Sequence, residues 1–417
     1  MRILSNGFPT NMPNSENVSQ GGPANFTKLF VGHIVSNHKE HEWVGVMFKG
    51  VKRLPSDSVR LQKVFSSTRR NYYCLRISSQ LFRMVTRATN AEKDPSLMLK
   101  KPIERLTAFV KKQKSNVVFL NGFGIFNWML LKAAEAAGVP VVIQHAGIWT
   151  KEVDMHKDLY TKHGRKLMKD MERDSTRLAQ AEIFLNVWSK NYYQRNIAVG
   201  SKHKTVVIPL PFDFATFQQL GTDTNSPTVA FDKEFFHIGT IARWDKIKNH
   251  KMILAIAKMA KKRSLPWKFH SVVAIPDSKK HRGARAEYAK YINVIPPVDR
   301  VGISNFCKSV DLLVLPSLFD VSPTVVLEAL ATDTPIMISP NTGYVHDFYA
   351  HGGKSWVIGP KNVKAAIRRI SSLLGKHIPI TLKKQIISKH DHKKVLASYL
   401  DVFTRVVETS SAPAQTN

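Results

Sequence analysis

The sequence predicts an α/β protein of two doubly wound domains facing each other across a cleft. Three observations predict it. Short apolar runs such as Val141–Gln144 and Leu312–Leu315 have the character of strands buried on both faces. Helix-length segments follow them in two successive arrays, the pattern of a parallel sheet. The length, 417 residues, exceeds one comfortable core, and the region 210–228, with Pro211, Gly221, Asn225, Ser226 and Pro227, suits a connection between two halves. The cleft is the default place for a ligand.

In the first array, Arg2 to Asn6 reads as a strand. A loop rich in Asn, Pro, Ser and Gly leads to Gly21-Gly22 and a helix from about Asn25 to Ser36. Paired glycines before a helix let backbone N–H groups approach a phosphate, though any flexible turn can carry them. Trp43 to Phe48 and Asn116 to Leu120 read as strands, Ile125 to Ala137 as a helix and Val141 to Gln144 as a strand that ends at His145. A lone histidine is more often structural, but this one stands at a strand's carboxyl end, followed by Ala146-Gly147. Lys151 to Arg177 is polar and helical. Ile183 to Ser189 and Thr205 to Pro209 complete the half as strands.

In the second array, Phe235 to Gly239 is a strand, Thr240 to His250 a loop and Lys251 to Lys262 a helix. Strands at Phe269 to Ala274 and Ile292 to Ile295 precede the stretch DLLVLPSLFDVSPTVVLEALATDTPIMISP, residues 311–340. There Leu312–Leu315 is a strand, Leu318–Val321 a loop, and Ser322-Pro323 a helix start with Ser as N-cap and Pro at the first helical position. Asp320 and Glu328 lie eight residues apart, one acid on the loop and one on the helix. Loops and helix N-termini at strand carboxyl ends are where open α/β sheets bind ligands. The bland alternative is a strand–loop–helix with two solvated acids. Arg243 and Lys248, five apart in the preceding loop, could converge on a ligand. Two fixed cations are what a departing diphosphate needs, because its charge grows as its bond breaks. A solvated basic loop is the plainer reading.

Composition bounds the rest. Hydrophobic content of 43% and aromatic content of 9% are ordinary for a globular chain. Two cysteines, Cys74 and Cys307, exclude a disulfide framework and a cysteine-rich zinc site. With no apolar leader and no run of the ~18–20 apolar residues a membrane span needs, a soluble protein of a reducing compartment is expected, and the sequons at Asn17 and Asn25 are accidental.

The formal net charge of +31 calls for anionic partners: a phosphorylated ligand, lipid headgroups or nucleic acid. Arg69 to Arg87 interleaves five arginines with Tyr72, Tyr73, Leu75, Ile77, Leu81, Phe82, Met84 and Val85. That pattern suits a basic amphipathic helix able to lie on an anionic membrane surface, or equally a domain helix with a solvated basic face. No nucleic-acid-binding module is recognised, so nucleic acid is not expected.

IGTIARWDKIKNHKMILAIAKM, residues 238–259, resembles the strand–Arg–Lys–helix phosphate loop of glycosyltransferase family 4, retaining enzymes of the GT-B fold with two Rossmann-like domains. LLVLPSLFDVSPTVVLEALATDTPIMIS is similar to that family's two-acid signature, and VVIPLPFDFATF resembles the run closing its first domain. Gly21-Gly22 resembles its glycine loop and His145 its sugar-contacting histidine.

The resemblance implies transfer of a sugar, with retention, from a nucleotide diphosphate sugar to a glycan or lipid-linked acceptor. Arg243 and Lys248 would hold the donor diphosphate, Glu328 the ribose and Asp320 a sugar hydroxyl. Thr324 and Val325 would offer backbone N–H groups. It further implies an acceptor-side domain over 1–212, a linker over 213–231, a donor-side domain over 232–389, a terminal helix over 390–408 that returns to the first domain, and a disordered tail over 409–417. The chain departs from the pattern where Asp320 replaces Glu, where Asp333 stands for Gly, and where Asn341–Tyr344 keeps one of two glycines. No metal and no cofactor is expected beyond the donor substrate. A cytoplasmic enzyme, peripheral at a membrane if the basic stretch binds lipid, is the resulting expectation. A nucleotide-sugar epimerase of the same fold and a non-catalytic basic binding protein are the alternatives.

Overall fold

Val117–Asn121 and Val141–His145 have no exposed residue, and such strands sit in the middle of a parallel sheet with helices on both faces. They belong to an eight-stranded sheet in the computed structural model, which describes residues 1–7, 22–52, 54–55, 59–89, 94–197, 205–220, 232–279 and 281–411. The chain divides into two compact units. One holds the described residues up to Pro211 together with Lys393 onward, and the other runs from Phe212 to His392.

The strands of the first unit are β1 (Arg2–Asn6), β2 (Glu42–Val51), β3 (Val59–Ser66), β4 (Arg70–Ser78), β5 (Val117–Asn121), β6 (Val141–His145), β7 (Ala181–Phe184) and β8 (Thr205–Val207). Their order is β3-β4-β2-β1-β5-β6-β7-β8. All neighbours run parallel except β3, which pairs antiparallel with β4. β3 is the edge strand: it carries Arg60 and Lys63, exposes most of its residues and is interrupted by an irregularity between Lys63 and Phe65. Charge and irregularity of that kind stop an open edge from pairing with another chain.

The helix Ile125–Ala137 shows how local signals fix an element. Gly124 precedes it, and Gly138 follows at φ 70 with Val139 N–H donating to the carbonyl of Ala134. The C-terminal turn demands that left-handed residue, which glycine adopts without a Cβ penalty. Trp128, Leu131 and Ala134 on its inner side join Leu120, Ile143 and Met171 in the core between sheet and helices.

The last helix, His392–Ser411, supplies Tyr399 and Phe403 to this same unit. Tyr399 lies 4.8 Å from Phe26, and Phe403 lies 5.0 Å from Phe119 and 5.7 Å from Phe30. The helix extends through Ser411, past the expected start of a disordered tail at 409; residues 412–417 lie outside the described residues.

Other boundaries move for identifiable reasons. The stretch 69–87 is not one amphipathic helix: Arg70–Ser78 is strand β4, and only Ser79–Thr86 is helical. Tyr72, Cys74 and Leu75 are buried against β2, and burial of residues so close together along the chain is met by a strand with cover on both sides. The run from Ile183 ends as a strand at Phe184, because the Asn186 side chain accepts from Ser189 N–H and starts a helix at Val187. Of the expected linker, Phe214–Gln219 is helical, capped by Asp213, while 221–231 falls outside the described residues.

The second unit holds β9 (Phe236–Ile241), β10 (Trp267–Val272), β11 (Asn293–Ile295), β12 (Leu312–Leu315) and β13 (Ile336–Ile338), all parallel, in the order β11-β10-β9-β12-β13. The chain therefore adds two strands on one side of β9 and then reverses to the other. The reversal lies between β9 and β12, where doubly wound sheets open a crevice at the strands' carboxyl ends. Among the described residues, no helix is long and apolar enough to cross a membrane.

Candidate functional site

Two loops leave the carboxyl ends of β9 and β12 side by side, and side chains bind them together. In the first loop the Asp245 carboxylate accepts from Ile247 N–H at 2.8 Å and starts a tight turn over Lys246–Lys248. Asn249 then adopts the left-handed conformation, φ 58, which Asn tolerates better than other side chains. Its amide donates to the carbonyls of Pro316 (2.9 Å) and Pro360 (2.8 Å). Leu318 N–H donates to the Ile247 carbonyl at 2.7 Å.

His250 fixes the stem of Arg243. Burial lowers the His250 pKa, and its Nε2–H donates to the Arg243 carbonyl at 2.8 Å. Nδ1 lies 3.2 Å from the Tyr288 hydroxyl, which also reaches Ser271 at 3.3 Å. Trp244 stacks on the other side, 4.8 Å between ring centres. The Arg243 backbone is thus held by a buried network while its side chain is exposed. Among the described residues, no carboxylate or carbonyl engages that guanidinium.

Lys248 is placed differently. Its ammonium forms an ion pair with Asp320, both side chains being largely covered. Asp320 also accepts from the Ser317 hydroxyl at 3.3 Å. Its backbone N–H donates to the Asn341 carbonyl and its own carbonyl accepts from Gly343 N–H, each at 2.9 Å. One residue therefore joins the loops after β9, β12 and β13.

The following helix runs Thr324–Ala331. Ser322 is not its cap: Pro323 occupies that position with no side-chain cap, and the Ser322 hydroxyl pairs with Tyr344 at 3.2 Å. The N–H groups of Thr324 and Val325 are accordingly without a side-chain acceptor, which leaves the positive end of the helix for an anion. Asp333 follows the helix at φ 59, a left-handed conformation open to Asp at modest cost, and pairs with Lys383.

Glu328, on the second turn, is 8% exposed. Burial pushes its pKa up to about 7, a shift that Arg300 partly opposes. Arg300 begins the helix Arg300–Ser309, capped by Asp299, and lies over the rings of Phe217 (5.4 Å) and Phe212 (5.9 Å). Among the described residues, no donor hydrogen-bonds to the Glu328 carboxyl.

In the first unit, His145 is not at a surface. It is fully buried, with Nε2 at 2.9 Å from Glu182 and its ring between Phe184 (4.5 Å) and Tyr193 (4.4 Å). The His145 ring lies inside the unit, between the sheet and its covering side chains, rather than on the open loop layer. Nearby Glu172 is also buried, its pKa raised by burial, and accepts from the N–H groups of Trp149 (3.0 Å) and Thr150 (2.6 Å). Gly22 is the first residue of the helix Gly22–Asn37, and Gly21 lies outside the described residues. At the strand reversal of this unit, β1 and β5 each end in asparagine. Asn6 donates to the Asn121 carbonyl at 3.0 Å and accepts from Asn121 N–H at 2.7 Å.

The sequence reading did not single out Arg300, Trp244, Asn249, His250 and Tyr288. For Asn249 a signal exists, an Asn just before a helix; for Arg300 there is none, since its place beside Glu328 is made by packing between helices.

The family model of Glycosyl transferases group 1 matches residues 222–389. No curated protein matches the chain. Among solved structures, the chain is similar to sucrose-phosphate synthase from Thermosynechococcus elongatus, at TM-score 0.70 and 13% identity over 98% of this chain and 99% of that one. It is similar to the E. coli trehalose-6-phosphate structure with bound UDP-2-fluoro glucose, at TM-score 0.66 and 12% identity over 97% and 99%. An α,α-trehalose-phosphate synthase (UDP-forming) from Burkholderia xenovorans in complex with glucose-6-phosphate gives 0.65 and 11% over 98% and 99%. Likeness at this identity and coverage shows the fold, which is α/β of the GT-B type.

Proposed function

We propose that the protein is a glycosyltransferase that moves a sugar from a nucleotide diphosphate sugar to an acceptor, with retention at the anomeric carbon. One observation carries the reading. At the strand reversal of the second unit, an exposed Arg243, the Lys248–Asp320 pair and an uncapped helix start at Thr324 are gathered on adjacent loops.

The leaving group of such a transfer is a nucleoside diphosphate, which gains charge in the transition state. Arg243, Lys248 and the N–H groups of Thr324 and Val325 would receive that charge, an electrostatic contribution of several kcal/mol, roughly. Lys248 has three protons and can keep Asp320 while donating to a phosphate oxygen. Asp320, shorter by a methylene than the usual Glu, would act chiefly by orienting Lys248 and would reach the sugar only from that position. Glu328 would take the ribose hydroxyls, which supply the hydrogen bonds its carboxyl lacks. The match to group 1 glycosyl transferases over 222–389 supports this reading. So do the fold neighbours, one with bound UDP-2-fluoro glucose and one with glucose-6-phosphate.

The acceptor is a glycan, a sugar phosphate or a lipid-linked sugar, in line with the charge of +31. Neither a metal nor a cofactor takes part. The test is a panel of nucleotide sugars with candidate acceptors, the anomeric configuration of the product read by NMR. Isomerisation of the donor without acceptor would replace this reading with an epimerase, and absence of donor binding would leave a non-catalytic protein.

A further inference from the structure

The helix Gly22–Asn37 and β2 are joined by a tight turn that carries a cluster the proposed transfer does not use. His38 Nδ1 lies 3.2 Å from Glu40 Oε1, and His41 Nε2 lies 3.5 Å from the same oxygen. The ligand atoms of these three residues all fall within 4.8 Å of one another. We propose that His38, Glu40 and His41 form a binding site for a divalent transition metal of the zinc class.

The spacing is the first argument. Zinc bonds to nitrogen and oxygen are about 2.0–2.1 Å, so neighbouring ligands of a tetrahedral ion stand about 3.3 Å apart. The two separations at Glu40 bracket that edge. The second argument is the imidazole behind the site. A ligating histidine has its other ring nitrogen held by a hydrogen bond, which fixes the ring. His38 Nε2 is 3.3 Å from His33 Nε2 and, with the metal on Nδ1, donates to it; His33 Nδ1–H then needs the Asn37 side-chain oxygen, a half-turn of the amide whose nitrogen is 3.1 Å away. The third is rigidity. His41 N–H donates to the His38 carbonyl at 3.1 Å and closes the turn. Arg69 donates to the carbonyls of Val35 and of His38, and the rings of His38 and His41 lie parallel, 5.5 Å apart.

Imidazole with carboxylate selects zinc, nickel or copper over magnesium and calcium, which prefer all-oxygen sites. Glu40 is the most exposed of the three, with 62% of its side chain accessible, so the fourth position faces water. Such an ion would clamp the end of the helix to the start of β2.

The test is calorimetric titration of the chelator-treated full-length protein with zinc chloride, and with magnesium chloride as control. One saturable zinc site per chain in the micromolar range or tighter, with no magnesium binding, is expected. Glu40→Gln and His41→Ala should each weaken it about tenfold or more. Glu40→Gln guards against misfolding because that side chain is exposed, and circular dichroism checks both variants. Absence of saturable zinc binding overturns the proposal. So does undiminished affinity in both variants, which would assign the zinc to others of the 16 histidines.

Discussion

Replacing Glu328 by Gln should stabilise the protein while it damages the proposed transfer. A carboxyl whose pKa is near 4.5 in the unfolded chain and about 7 in the folded one prefers to be neutral in the fold. Its contribution to stability is therefore full below about pH 4.5 and lost as pH rises through 7. The difference of roughly 2.5 units, at about 1.4 kcal/mol each, amounts to about 3 kcal/mol at pH 8. Gln keeps the shape and cannot ionise, so it removes that penalty. Urea unfolding of wild type and Glu328→Gln, followed at pH 8 and at pH 5, reads the difference. The variant should be the more stable by about 3 kcal/mol at pH 8 and by less than 1 kcal/mol at pH 5. Donor affinity should fall in the same variant. A gap of equal size at both pH values, or a variant weaker at pH 8, would refute the argument. It would mean that the carboxylate is satisfied in the fold, and its value for a ribose would go with it.

Arg243→Ala should lower transfer about 10²–10³-fold and change stability by less than about 0.5 kcal/mol, since its side chain is exposed; steady-state kinetics beside a thermal melt checks both. Activity should persist in excess EDTA, measured by release of the nucleoside diphosphate, because the proposed transfer assigns no step to a metal. Phe403→Ala should cost the first unit about 3–5 kcal/mol by removing a ring buried against Phe30 and Phe119; urea denaturation reads it. Gly164→Ala should destabilise by about 1–3 kcal/mol, because a Cβ there would collide with the Thr86 carbonyl oxygen; a thermal melt suffices.

The parts of the fold legible in sequence are those where local chemistry and packing agree. VVIQH, LLVL and the helix Ile125–Ala137 carry their burial and their stop signals within a few residues. The stretch 69–87 was not legible as strand, because alternating Arg and aromatic residues fit a helical face as well, and the partner strand β2 decides. Arg243 and Lys248 follow β9, and Asp320 and the helix start at Thr324 follow its neighbour β12; spacing within each loop says nothing of that neighbouring. That Lys248 neutralises Asp320 could not be read, since 72 residues separate them and only the neighbouring of β9 and β12 brings them together. The burial of His145 was not legible for a related reason: a strand's last residue faces either the loop layer or the interior, and its partner Glu182 lies on the next strand.

The first unit draws Tyr399 and Phe403 from the far end of the chain. During synthesis, Phe26, Phe30 and Phe119 must wait uncovered while the whole of the second unit is made. At about 5–20 residues per second, the nearly 300 residues between Phe119 and Phe403 take roughly 15–60 seconds to appear. The half translated first is therefore the half completed last, and for that interval an aromatic surface needs shelter from other nascent chains.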